Sequence, residues 1–140
     1  MFEQLIIGSI TIIITILIHS AFISAATSLA TKYDDWISRG NQTFKSIFAL
    51  SITVLWLLSS ITICTWLWAF IFIFLNVFQS LEPAIYFSLV SMTTLGYGDI
   101  TLDPQWRILS GLTAVNGLLL FGLTTAFLVE FIFQLRKAQA

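Results

Sequence analysis

Hydrophobic residues are gathered into three long stretches of the chain that carry almost no charge. The first covers about residues 4–23, and charged residues are absent from the second, 46–81, and the third, 108–129. A helix needs about 20 residues to cross the hydrocarbon core of a membrane, because each residue rises about 1.5 Å. The pattern therefore predicts three membrane-spanning helices.

The second stretch is longer than one crossing needs and too short for two crossings joined by a turn. No Gly or Pro lies between Ser46 and Glu82 to make such a turn. We therefore expect one long, tilted outer helix over residues 46–79. Residues 1–24 are expected to form an additional N-terminal transmembrane helix, and residues 25–45 a cytoplasmic linker.

Composition narrows the class of protein. Of the 140 residues, 58% are hydrophobic and 9% are charged, whereas a soluble domain carries roughly 25% charged residues. A net charge of −1 gives no electrostatic footprint for nucleic acid. The single cysteine, Cys64, excludes a disulfide framework and a thiolate metal cluster. A small integral membrane protein is the class that fits.

Basic residues predict the orientation, because Lys and Arg concentrate on the cytoplasmic side. All of them except Arg107 lie in residues 25–45 or follow the third stretch. Three crossings place those two segments on one side. We therefore expect the N-terminus outside and the C-terminus in the cytoplasm, in the cell (inner) membrane.

The segment between the second and third stretches has a different pattern. Pro83, a residue suited to the first turn of a helix, starts a predicted helix over residues 83–93, about half a membrane thick. Gly96 and Gly98 follow it in residues 94–99. Irregular backbone at membrane depth survives only where it is buried in protein or lines a watery cavity. This segment therefore predicts a re-entrant hairpin at a pore or a binding site.

Residues 93–99, Thr-Thr-Leu-Gly-Tyr-Gly-Asp, resemble the selectivity-filter signature of the potassium channel family, Thr-(Val/Ile/Leu)-Gly-(Tyr/Phe)-Gly-Asp. We call these residues the signature segment. The resemblance covers about residues 45–137 and implies an all-α membrane protein of the small prokaryotic type. Such a protein is expected to have three transmembrane helices, a re-entrant pore helix (83–93) and a filter (94–99). The implied pore domain covers residues 46–140, with an inner helix over 107–134.

The chemistry of such a filter agrees with these residues. A dehydrated cation needs oxygens in place of its water, and a ring of backbone carbonyls from four chains supplies them. Glycine permits the backbone conformations that aim carbonyls at the axis. The resemblance therefore implies a homotetramer in the lipid bilayer, with K⁺ ions as its cofactor and no organic cofactor. The filter residues that it assigns to the ions are Thr94, Leu95, Gly96, Tyr97 and Gly98, with K⁺ held by the first four.

The resemblance also assigns supporting residues around the filter, among them Thr93. In the family, aromatic residues of the pore helix brace the filter, and Tyr86 and Phe87 stand at those positions, where many members carry two Trp. We expect the Tyr86 hydroxyl to reach the Asp99 carboxylate; packing is the alternative role for both aromatics. Val90 stands where some members place a carboxylate, so filter inactivation that depends on such an acid is not expected.

Gating residues are expected on the inner helix. Gly117 falls where a hinge is often found in the family, and Gly122 where small residues keep the cavity wide. Thr125, Val129 and Phe133 share one helical face and are expected to line the cavity and a hydrophobic constriction. Close helix packing is the alternative for all of them.

The sequence offers little about the stimulus that opens the pore. No span carries Arg at every third position, so no voltage sensor is expected, and no appended ligand-binding domain is expected either. His19 is expected near the cytoplasmic end of the first span, solvated at the interface, with a pH sensor as the alternative.

We therefore predict passive potassium conduction and no enzymatic activity, small-molecule substrate or nucleic-acid partner. A nonselective cation channel of the same fold is the alternative. Residues 96–99 also match the Gly-x-Gly-Asp of intramembrane aspartyl proteases, with Tyr33-Asp34 as a second motif. Those enzymes need two carboxylates at one site, and Asp34 and Asp99 are predicted on opposite sides of the membrane.

Overall fold

The computed structural model describes residues 2–32 and 42–137, which form four helices. They are α1 (Phe2–Lys32), α2 (Gln42–Phe74), α3 (Leu81–Met92) and α4 (Arg107–Lys137). By length and composition, α1, α2 and α4 can each cross a membrane, and α3 is a shorter apolar helix. The described residues contain no strand. The prediction of an all-α membrane protein with three spanning helices is confirmed.

The first helix packs against the other two spanning helices of its own chain. Hydrogen bonds between α1 and α4 join residues whose numbers rise together: Gln4 with Leu109, Thr15 with Asn116, and His19 with Thr124. Between α1 and α2 the order is reversed: Thr15 with Cys64, His19 with Ser60, and Phe22 with Trp56. Helices α1 and α4 are therefore parallel to each other, and α2 is antiparallel to both.

The buried face of α1 is made of small and polar residues. They are spaced by three, four or seven positions, which places them on one helical face: Gln4, Gly8, Thr11, Thr15, His19 and Ala26. Lipid is as apolar as Leu, so helices in a membrane associate through close packing and hydrogen bonds rather than through apolar burial. Most Ile and Leu side chains of α1 are accordingly exposed or half-buried.

The prediction that His19 is solvated at the membrane interface is wrong. Its side chain is buried between α1, α2 and α4. The prediction treated His19 as the end of an apolar stretch, but α1 continues through residues 25–32 to Lys32. His19 therefore lies well inside the helix, on its buried face.

Two predicted boundaries at the linker are corrected. Residues 25–32 belong to α1 and residues 42–45 belong to α2, so the segment between the helices is shorter than the predicted 25–45 linker. Residues 33–41 lie outside the described residues.

Helix α2 ends at Phe74, whereas the outer helix was predicted to reach residue 79. Asn76 adopts a left-handed φ of 56°. The Val77 N–H bonds to the Phe72 carbonyl, and the Asn76 N–H bonds to the Ile73 carbonyl, each at 2.9 Å. This is the Schellman closure of a helix C-terminus, with Asn in place of the usual Gly.

The two helices flanking the signature segment lie close to their predicted bounds. Helix α3 begins at Leu81 after Ser80, so Pro83 is the third helical residue and not the first. Helix α4 begins at Arg107, as predicted, and continues past residue 134 to Lys137. Basic residues in this last turn favour its continuation, because the C-terminal end of a helix carries partial negative charge.

Gly117 is the point where α4 touches the end of α3. A Cβ atom at this position would collide with the backbone carbonyl of Met92. The residue is buried, and the structure thus gives Gly117 a packing contact, the alternative to the predicted hinge. The hinge stays a prediction.

Gly117→Ala is expected to lower the free energy of unfolding by about 1–3 kcal/mol, the typical cost of overpacking. Thermal unfolding of the detergent-solubilised protein measures this loss. Gly111→Ala is the matched control, since nothing in the chain lies within 4 Å of a Cβ there. Equal stabilities of the two variants would contradict the contact.

Candidate functional site

The signature segment starts by folding back over the C-terminal end of α3. Thr93 caps the helix, and its hydroxyl donates to the Leu89 carbonyl at 2.8 Å. The Val90 carbonyl accepts the N–H groups of Leu95 (3.1 Å) and Gly96 (3.3 Å). The first amides of the segment are thereby satisfied within the chain, and the segment begins at the partially negative end of the α3 dipole.

The backbone of the signature segment alternates in handedness. Thr94, Gly96 and Gly98 have φ values of 57°, 53° and 79°, whereas Leu95 and Tyr97 between them stay at negative φ. In a β-strand, successive carbonyls point to opposite sides. Alternation between left- and right-handed residues instead turns successive carbonyls toward one side. The arrangement therefore favours a row of carbonyl oxygens along a single face.

Thr94 is the strained member of this row. Gly96 and Gly98 accept a positive φ without steric cost, because glycine has no Cβ. Thr94 has a branched Cβ, and such a residue at positive φ is a true outlier, costing about 1–2 kcal/mol. Strain of this kind is concentrated at functional sites, where the surrounding structure holds it in place.

The predicted contact between the Tyr86 hydroxyl and the Asp99 carboxylate is confirmed. The Tyr86 hydroxyl donates a hydrogen bond to Oδ2 of Asp99 at 2.6 Å. This bond raises the pKa of Tyr86 and lowers the pKa of Asp99, because it stabilises the neutral phenol and the ionised carboxylate together. The bond links α3 to the C-terminal end of the signature segment.

The neighbouring aromatic, Phe87, contacts the end of α2. Its ring lies 5.4 Å from the ring of Phe72, edge to face, and 5.4 Å from the ring of Phe78. Aromatic pairs of this geometry contribute beyond their area burial. Phe87 therefore ties α3 to α2 through packing, while Tyr86 ties α3 to the signature segment.

A cavity of about 300 Å³ lies between α3, the signature segment and the first turns of α4. Its wall includes Val90, Gly98, Asp99, Arg107 and Ser110. Val90 contributes an apolar wall at the position where some potassium channels carry an acid. Tyr86 and Asp99, which are joined by a hydrogen bond, also line this cavity.

Two large side chains of the signature segment have little cover from their own chain. Leu95 is 54% exposed and Tyr97 is 67% exposed. The predicted cavity and constriction residues of α4 are also exposed in the single chain: Gly122, Thr125, Val129 and Phe133. They form a second group, farther along α4 and separate from the signature segment.

Polar residues that link the helices were not predicted from the sequence. Ser60, Asn116 and Thr124 each hydrogen-bond to α1 from another helix. A signal was present, because polar side chains within an apolar span normally face protein rather than lipid.

For the protease alternative, Asp34 lies outside the described residues and Asp99 bonds to a tyrosine.

Comparison with known proteins agrees with this architecture. Residues 60–134, more than half of the chain, match a family described as ion channel. The chain belongs to this ion channel family, whose pore domain is of the two-helix potassium channel type. It is a family of channels and not of enzymes. No curated protein and no solved structure matches the chain.

Tyr86→Phe is expected to raise the pKa of Asp99 toward its usual range, because the hydrogen bond that stabilises the carboxylate is lost. Since the folded-state pKa of Asp99 is lowered, the stabilisation by this bond is complete above the usual aspartate pKa. It is lost as the pH falls through the lowered value. Carboxyl-carbon NMR titration of Asp99 measures the change. Tyr97→Phe is the control, and an unchanged Asp99 pKa in Tyr86→Phe would contradict the assignment.

Proposed function

We propose that the protein is a potassium-selective channel in which four copies surround one pore and conduct K⁺ passively. The observation that carries this proposal is the positive φ at every second residue after α3, namely at Thr94, Gly96 and Gly98. A row of carbonyls on one face replaces the hydration shell of a cation, and four such rows complete its coordination.

The ion sites in this proposal consist of backbone oxygens. The carbonyls of Thr94, Leu95, Gly96 and Tyr97, with the Thr94 hydroxyl, bind K⁺. The C-terminal end of α3 stabilises a cation below them, because the aligned peptide dipoles of the helix leave partial negative charge at that end. The Tyr86–Asp99 bond holds the outer end of the row in place.

The geometry of one chain supports the proposed tetramer. Each chain supplies one signature segment, and a closed ring of coordinating oxygens needs several. The exposed, non-helical backbone of Leu95 and Tyr97 supports this assembly, since irregular backbone at membrane depth is tolerated only where it is buried in protein or lines a water-filled cavity. Rotational symmetry about the pore axis presents the same surface from each copy.

The conduction path continues along the inner half of α4. Thr125, Val129 and Phe133 form the gate region, where apolar side chains close the pore by dewetting. Gly122 keeps the space between copies wide. A hinge at Gly117 has to preserve the contact with Met92, so the part of α4 beyond that contact is the part that moves.

The orientation in this proposal follows the basic residues, with the N-terminus outside and the C-terminus in the cytoplasm. Because α1 and α4 are parallel, the N-terminal ends of both helices lie on one side, which this orientation assigns to the outside.

Purified protein in a planar bilayer, with K⁺ on one side and Na⁺ on the other, is expected to give a reversal potential near the K⁺ equilibrium potential. Native mass measurement is expected to find four chains of 15.7 kDa. Current that reverses near zero would favour the nonselective cation channel, and a monomer that conducts would contradict the proposed assembly.

Gly98→Ala is expected to reduce the K⁺ current per tetramer by about tenfold or more. An L-residue at this φ of 79° costs about 1–2 kcal/mol and favours a turned carbonyl. Gly111→Ala, on α4, is the matched control and is expected to conduct as the wild type does. Equal currents from the two variants would contradict the role of the alternating backbone.

A further inference from the structure

His19 is a polar contact point between three membrane-spanning helices. Its side chain is 0% exposed. Its Nδ1 atom lies 3.0 Å from Oγ of Ser60 on α2, and its Nε2 atom lies 3.0 Å from Oγ1 of Thr124 on α4. Both ring nitrogens therefore have partners, each on a different helix.

The direction of these hydrogen bonds follows from the number of protons available. The Thr124 hydroxyl donates to the Leu120 carbonyl at 2.8 Å, and a hydroxyl has one proton to give. When the Thr124 hydroxyl makes this bond to Leu120, it accepts from His19 Nε2–H, and the neutral ring then accepts at Nδ1 from the Ser60 hydroxyl. The result is a directed chain of hydrogen bonds from α2 through α1 to α4.

This chain fixes the lateral position of α4. If α4 moved away from α1, the His19 N–H and the Thr124 oxygen would lose their bond where no water replaces it, and a buried unpaired polar group is costly. Thr124 directly precedes Thr125 of the gate region. Because a helix moves as a unit over a few residues, the position of Thr124 sets the position of the gate region.

A second contact limits which part of α4 is free to move. Gly117 is held against Met92 at the end of α3, and the adjacent Asn116 accepts a hydrogen bond from Thr15 of α1 at 2.8 Å. Toward the inner end, the next hydrogen bond from α1 to α4 among the described residues is His19–Thr124. A movement of α4 below Gly117 must therefore change the His19–Thr124 bond.

We propose that His19 is a positioning residue for gating. It holds α4 at Thr124 in one gating state and releases it in the other, and in this way it sets the ratio of open to closed channels. The inference rests on the proposed function, because it concerns the gate of that same pore. It assigns to α1 a part in gating that the two-helix pore alone does not have.

The test is single-channel recording in symmetrical K⁺ with a matched pair of variants. Gln and Met are similar in length and shape, but Gln both donates and accepts hydrogen bonds. His19→Met is expected to change the open-to-closed ratio by about threefold or more, the typical effect of interhelical hydrogen bonds in membranes. His19→Gln is expected to stay close to the wild type.

The partner residue supplies an independent measurement. Thr124→Val removes the hydroxyl at constant shape and is expected to shift the open-to-closed ratio in the same direction as His19→Met. The double variant is expected to shift it by less than the product of the two single effects, because both changes break the same bond. The unitary current and the reversal potential are expected to stay unchanged throughout.

Thr11→Val is the control for loss of a buried hydroxyl from the same face of α1. The Thr11 hydroxyl donates to the Ile7 carbonyl of its own helix at 2.7 Å, so its loss is expected to leave the open-to-closed ratio unchanged. If His19→Met does not assemble, the open-to-closed ratios of Thr124→Val and Thr124→Ser are compared instead. Thr124→Ser keeps the hydroxyl and is expected to stay close to the wild type, whereas Thr124→Val is expected to shift the ratio.

The outcomes separate this inference from the proposed function. If the wild type conducts K⁺, and both His19→Met and Thr124→Val keep the open-to-closed ratio of the wild type, the inference is overturned. The proposed channel is then unaffected. Equal shifts in His19→Gln and His19→Met would also overturn it, since shape and not hydrogen bonding would then matter. Absence of K⁺ current from the wild type would overturn the proposed function and this inference with it.

Discussion

A backbone that leaves the helical conformation inside a membrane must find partners for its amides and carbonyls, and this constraint acts most strongly on residues 93–99. The amides at the start of the signature segment bond to carbonyls at the end of α3. The residues that follow alternate between positive and negative φ, an arrangement that favours carbonyls on one face. In the proposed channel, cations and their water satisfy these carbonyls, so the group that is costly to bury is also the group that binds the ion.

The rest of the structure holds that segment in position. The segment begins at the C-terminal end of helix α3, and α4 approaches that end so closely at Gly117 that no side chain fits. The Tyr86 hydroxyl bonds to Asp99 at the other end of the segment. Helix α1 adds a polar face that lies parallel to α4. The proposed pore is thereby built from contacts with little tolerance around the filter, while α4 beyond Gly117 contacts α1 at Thr124 and α2 at Phe131 and Leu135.

Much of this architecture could be predicted from the sequence, because the signals involved are local. Uninterrupted apolar stretches define the spans, and Pro83, Gly96 and Gly98 mark a short helix followed by irregular backbone. The Tyr86–Asp99 contact was implied by the resemblance to potassium channels. Gly and Pro do not mark the end of α2, because Asn76 adopts the left-handed conformation that closes this helix.

The environment of His19 depends on contacts that no local pattern contains. Its neighbours, Ser60 and Thr124, are distant in sequence and come together only when three helices pack. An isolated histidine in an apolar stretch does not indicate which residues of the other helices lie beside it. Mean hydropathy does not show which face of the helix is buried. The spacing of Gln4, Thr11, Thr15 and His19 on one face of α1 carried part of that information.

The most direct measurement for the central claim is a crystal structure of the assembled protein grown with Tl⁺ or Rb⁺ in place of K⁺. Anomalous scattering then locates the cations. The account predicts four chains around an axis, with cation density on that axis, level with the carbonyls of Thr94, Leu95, Gly96 and Tyr97. Carbonyls that point away from a shared axis, or an axis without cation density at their level, would contradict it.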